Sequence, residues 1–115
     1  MVQMTMQVSE ELAKRIRPLG PWLPTALELS LIGFKTKATA VATEVIEFLA
    51  SSPNPQDILS FHLSEQAQAR LRRLLALNEA GLLGEDENLE LDELERIEHV
   101  MIMLKAQVAK QMQQS

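Results

Sequence analysis

Met1-Val2-Gln3-Met4-Thr5-Met6-Gln7-Val8 alternates apolar and polar side chains without a break, and no other stretch of the 115 residues does so. In an extended chain successive side chains point to opposite faces. The alternation therefore predicts a strand over residues 2–8, with Val2, Met4, Met6 and Val8 on one face and Gln3, Thr5 and Gln7 on the other. Everything downstream reads as helix, which leaves this strand without a partner in its own chain. Unpaired N–H and C=O groups along a strand edge are costly and invite association. The expectation is thus a mainly α homodimer, joined by an intermolecular antiparallel ribbon of two N-terminal strands.

The remaining sequence divides at Pro, Gly and capping residues. Ser9 is a favoured N-cap for a short helix over Glu10–Arg17, with acids at its start and cations at its end. Pro18 and Gly20-Pro21 stop it. Pro24 suits the first turn of a second helix, Thr25 to Ile32, which Gly33 ends. A third helix runs from Thr36 to Ala50, with Ala38, Val41, Ala42, Val45, Ile46 and Leu49 at helical spacing. Ser51-Ser52-Pro53-Asn54-Pro55 reads as a loop, followed by a short turn over Gln56–Ser60. Ser64 then caps a helix to Ala80, Gly81-Leu82-Leu83-Gly84 makes a tight connection, and a long helix spans Glu85–Lys110. In that last helix Leu91, Leu94, Ile97, Met101, Leu104 and Val108 recur at spacings of three and four, the pattern of a seam that packs on another helix. The expected architecture is residues 1–33 as a dimerisation segment and 34–115 as a helical domain, with residues 64–110 folded back as an antiparallel hairpin.

Composition bounds the function. Apolar residues make up 46% of the chain but aromatics only 3%, with one Trp and no Tyr. The core must be built from Leu, Ile, Val, Ala and Met, which pack well between helices. With no cysteine there is no disulfide, thiolate metal site or Cys nucleophile. No basic-then-apolar leader and no apolar run near twenty residues occur, so the expected setting is cytoplasmic and away from membranes. The net charge of −5 is uneven: residues 1–50 balance five Lys/Arg against five Glu, whereas residues 51–115 set six Lys/Arg against eleven Asp/Glu. The N-terminal half can approach nucleic acid while the acidic half faces something else.

Chemistry-bearing constellations are sparse. Glu95 and His99 stand four apart on a predicted helix with Asp92 and Glu98 nearby, but His62 is remote and no Cys completes a ligand set. A solvated acidic face explains these residues, and no metal site is expected. The carboxylates at Glu85–Glu87 and Asp92–Glu95 lack the burial that general acid–base work needs. No phosphate-binding loop or nucleophile elbow appears, so neither catalysis nor a cofactor is expected. For the ribbon, the plain reading is that Gln3, Thr5 and Gln7 face water. The functional reading sets them in a DNA major groove, where Gln pairs with adenine and Thr meets a base edge or a thymine methyl. Lys14, Arg15 and Arg17 would then hold phosphates.

The strand–helix–helix start over residues 1–33 resembles the ribbon–helix–helix DNA-binding fold of bacterial antitoxins and repressors. Residues Ser64-Glu65, Ala67-Gln68, Arg70-Leu71, Leu74-Leu75, Asn78, Gly81, Leu83, Glu87, Glu90-Leu91-Asp92, Ile97-Glu98-His99 and Leu104-Lys105-Ala106 look like a family of small uncharacterised antitoxin-like proteins of cyanobacteria and related bacteria. This second resemblance spans most of residues 45–110. It implies a toxin–antitoxin pair, with the N-terminus binding operator DNA and the helical part binding a toxin through Leu91, Leu94, Ile97, Met101 and Leu104. The competing expectation is a helical protein-interaction module with no DNA binding.

Overall fold

Regular structure begins at Ser9, whose side chain accepts a hydrogen bond from the Leu12 N–H at 3.1 Å and so opens α1 (Glu10–Ile16). The computed structural model describes residues 2–114; Met1, the first residue of the alternating stretch, and Ser115 lie outside the described residues.

Ahead of Ser9 the expected strand does not form. Residues 2–8 carry no regular structure, and no strand occurs among the described residues. The mainly α expectation holds, but the N-terminal ribbon is overturned. Alternation makes one face apolar, yet a strand exists only where a second backbone completes its ladder. No other segment of this helical chain supplies one. The segment is instead an exposed arm, with Val2, Met4 and Met6 exposed at 88, 85 and 62%.

Pro18 then removes a backbone N–H, and the chain tightens into a 3₁₀ segment over Arg17–Trp22, kinked at Gly20, whose φ of +50° favours glycine. Leu19 and Trp22 turn inward here, and the Trp22 indole N–H donates to the Pro53 carbonyl at 3.0 Å. Helix α2 (Leu23–Ser30) follows with Pro24 in its first turn, as expected, and buries Ala26 and Leu29. Helix α3 (Ala38–Ala50) starts two residues later than the sequence reading, because the Thr36 hydroxyl accepts from the Ala38 N–H and lies just outside the helix. Its buried residues Ala38, Ala42, Val45 and Leu49 form one stripe. A reciprocal capping box between Asn54 and Asp57 converts the expected turn into a short helix, α4 (Pro55–Ser60).

Helix α5 (Glu65–Glu79) is capped by Ser64 and closed by Gly81, which takes a φ of +70° while the Leu82 N–H reaches back to the Leu77 carbonyl at 2.9 Å. Helix α6 (Glu85–Gln113) runs 29 residues and is the axis of the molecule: α2, α3, α4 and α5 all pack against it. The α5–α6 hairpin is present as the sequence indicated, with Arg70 meeting Glu90 across it. One cluster of buried residues extends from Leu19 through Leu29, Val45, Leu49, Ile58 and Leu74 to Val108, so residues 19–29 share their core with the helices that follow.

Candidate interaction surface

Two carboxylates on α6 face inward, and both are spent on holding the fold. Glu93 is 4% exposed and accepts from the Lys35 N–H at 2.9 Å, the Thr36 N–H at 3.2 Å and the Thr36 hydroxyl. It ties the α2–α3 connection to α6, and serves the entry to α3 much as a capping side chain would. Glu90 receives a bidentate pair from Arg70, Nε at 2.8 Å and Nη2 at 2.9 Å. That hydrogen bonding holds the Glu90 carboxyl below its ordinary 4.5, while burial pushes the other way and the Arg70 and Lys37 charges assist. The same bond holds the Arg70 guanidinium above its ordinary value. Both carboxylates are engaged within the fold, Glu93 by three donors and Glu90 by two. Asp92 and Arg96 form an exposed ion pair at 3.1 Å, and the described residues contain no group of three or more metal-ligating side chains.

The residues expected to read DNA are scattered by the loss of the ribbon. Gln3, Thr5 and Gln7 lie exposed on the arm, and Lys14, Arg15 and Arg17 are exposed on and just after α1. No shared rigid face aligns the two sets. Of the residues expected to bind a partner, Leu91, Leu94, Ile97, Met101 and Leu104 are all buried in the chain's own core. Their side chains fill the seam between α6 and the helices around it, which is what a three-and-four repeat does when its neighbours come from the same chain.

Two of them nonetheless lie directly beneath a groove in the surface. Ile97 and Met101 form the floor of an open groove of about 420 Å³, walled by α5 at Leu71 and Arg72, by the α4–α5 connection at Phe61 and Leu63, and by α6 at Ile102 and Lys105. Its wall is held in place from several directions. The Lys105 ammonium donates to the Phe61 carbonyl at 2.6 Å, and the Gln68 amide donates to the Leu63 carbonyl at 2.6 Å. The Ser64 N–H donates to Glu44 at 2.6 Å, and the Phe61 ring stacks on Phe48 with centroids 4.3 Å apart. Along α6 the groove spans residues 97 to 105, a length of about 12 Å at 1.5 Å per residue.

The rim of the groove is cationic although the chain is acidic. Arg72 and Lys105 border it against a single acid, Glu98. Neither Arg72 nor Lys105 is in an ion pair among the described residues. A second groove of about 820 Å³ lies between the first half of α3 and the first half of α5, floored by Ala38, Ala67 and Leu94; of its charged groups Arg70 and Glu90 pair with each other, Glu44 accepts from Ser64, and Lys37 is in no ion pair among the described residues. Sequence reading missed Phe61, Leu63, Arg72, Ile102 and Lys105. Leu71 was visible on the inner face of its helix, but the others belong to no periodic stripe.

No helix is long and apolar enough to cross a membrane among the described residues. Compared with family models, curated proteins and solved structures, the chain yields no match.

Proposed function

We propose that this chain is a helical protein-interaction module that recognises its partner through the groove between the Phe61–Leu63 segment, α5 and α6. The observation that carries the reading is a preformed apolar cleft, braced by four hydrogen-bonded or stacked contacts, whose rim sets Arg72 and Lys105, neither in an ion pair among the described residues, against the single acid Glu98. Apolar floors with a few placed polar groups at the edge are the usual anatomy of protein recognition sites. Ile102, 56% exposed on the rim, is the kind of side chain that a partner covers. A toxin is one instance of such a partner, pointed to by the antitoxin-like resemblance of residues 45–110. The reading assigns no DNA role to the chain.

Affinity capture from native cells tests it, read by mass spectrometry with wild type and Ile102→Glu compared side by side. The expected result is a partner retained by wild type and lost by the variant, at unchanged helicity. Identical captures would sink the proposal. A salt-sensitive shift of DNA that disappears when Lys14, Arg15 and Arg17 are reversed to Glu would replace it with the nucleic-acid reading.

A further inference from the structure

Two features of the molecule lack a counterpart within it. One is the arm, whose apolar side chains Val2, Met4 and Met6 are exposed at 88, 85 and 62%, with Val8 at 36%. The other is the groove, whose apolar floor and cationic rim are uncovered. We infer that they belong to each other across two copies of the chain: the arm of one copy lies in the groove of the other, reciprocally, making a homodimer. This rests on the reading of the groove as a protein-recognition site and names its occupant.

The match is chemical and dimensional. An extended arm places its four apolar side chains on one face and Gln3, Thr5 and Gln7 on the opposite one. That suits a half-open cleft, with apolar groups down on Leu63, Leu71 and Met101 and amides out in water. Seven extended residues reach about 23 Å, enough to cross a groove of about 12 Å. Residues 2–8 carry no charge, but Glu10 and Glu11 follow directly, and neither is in an ion pair among the described residues. They bring further acid to a rim where Arg72 and Lys105 outnumber the single Glu98. Met side chains bend to fill irregular clefts, and three of the chain's six lie in residues 1–6. The exchange is reciprocal and closes at two copies. No strand pairing is involved, since the arm's backbone stays hydrated and its side chains make the contact.

Sedimentation or light scattering on the full chain should report a species of about twice the 12.9 kDa chain mass. Deleting residues 2–8, or Ile102→Glu on the groove rim, should each weaken the dimer dissociation constant about 30-fold or more. The decisive arm of the experiment mixes the two variants. At concentrations where each is monomeric alone, the mixture still offers one intact arm and one intact groove, so it should form a heterodimer held by one contact, weaker than wild type and tighter than either variant with itself. A damaged fold would not be rescued in this way. A dimer that survives loss of the arm, a wild type that stays monomeric, or a mixture that fails to pair overturns the inference. If wild type is monomeric yet loses a captured partner on Ile102→Glu, the arm assignment falls and the groove reading stands. If neither association depends on Ile102, both fall.

Discussion

Removing the Glu93 carboxylate should loosen the junction on which the helical core depends. Glu93→Ala takes away three hydrogen bonds at once, from the Lys35 N–H, the Thr36 N–H and the Thr36 hydroxyl. A hydrogen bond to a charged acceptor contributes about 1.5–3 kcal/mol, and a buried donor left unsatisfied costs a similar amount. Lys35 is exposed and Thr36 half-buried, so water can reach part of what the substitution orphans. The net loss is therefore about 2–4 kcal/mol rather than the full sum. For a domain of this size each kcal/mol corresponds to about 4 °C in Tm, which puts the expected drop at about 8–16 °C. Thermal unfolding followed by circular dichroism and by the fluorescence of Trp22 measures it. Glu93→Gln keeps an acceptor but not the charge, and should lie between wild type and Ala. A double-mutant cycle with Thr36→Val isolates the pair, with an expected coupling of about 1 kcal/mol or more. A Tm for Glu93→Ala within 3 °C of wild type, or a cycle without coupling, would refute the idea that this carboxylate anchors the α2–α3 connection.

Three other outcomes follow from named contacts. Ile97 is fully buried between α6 and its neighbours, so Ile97→Ala should cost about 2–5 kcal/mol in denaturant unfolding; a loss below 1 kcal/mol would place it outside the core. Glu90 has its pKa lowered by the Arg70 hydrogen bond, so its stabilisation is present above the ordinary 4.5 and fades as pH falls below that value and through the folded-state one. Arg70 is 36% exposed, which screens the pair to about 1 kcal/mol, and the stability gap between wild type and Glu90→Gln should shrink on acidification, as urea midpoints from pH 7 down to pH 3 would reveal. Trp22→Phe preserves an apolar ring but deletes the donor to the Pro53 carbonyl, and should lower stability by about 1 kcal/mol or slightly more in the same assay.

Much of the local structure was legible in the chain itself. Ser9 and Ser64 cap the helices that their positions announced, Gly81 takes the left-handed turn that ends α5, and the repeat from Leu91 to Val108 lies on one buried stripe of α6. The reason is that caps, proline and glycine act within one turn of helix, and helical spacing follows from 3.6 residues per turn. Periodicity says that a stripe is covered without saying by what. Here α2, α3, α4 and α5 cover it. The groove was hidden for the opposite reason. Phe61, Arg72, Ile102 and Lys105 come from a connection and two helices, and become neighbours only when α5 folds back along α6.

The opening octet separates the two kinds of information most sharply. Alternation by itself determined that an extended segment would present one apolar and one polar face, since that depends only on the pleat of the backbone. Whether the segment is a strand was decided by tertiary structure, because ladder hydrogen bonds need a second extended backbone and no strand occurs among the described residues. The carboxylates of α6 make the same division. Sequence marked Glu90 and Glu93 as acids on an acidic helix, but only the approach of Arg70 and of the Lys35–Thr36 backbone, from twenty and more than fifty residues away, turned them into buried anchors. Local stereochemistry chose the helices, and long-range packing chose which of their faces meet, because contacts distant in sequence exist only once the chain has closed on itself.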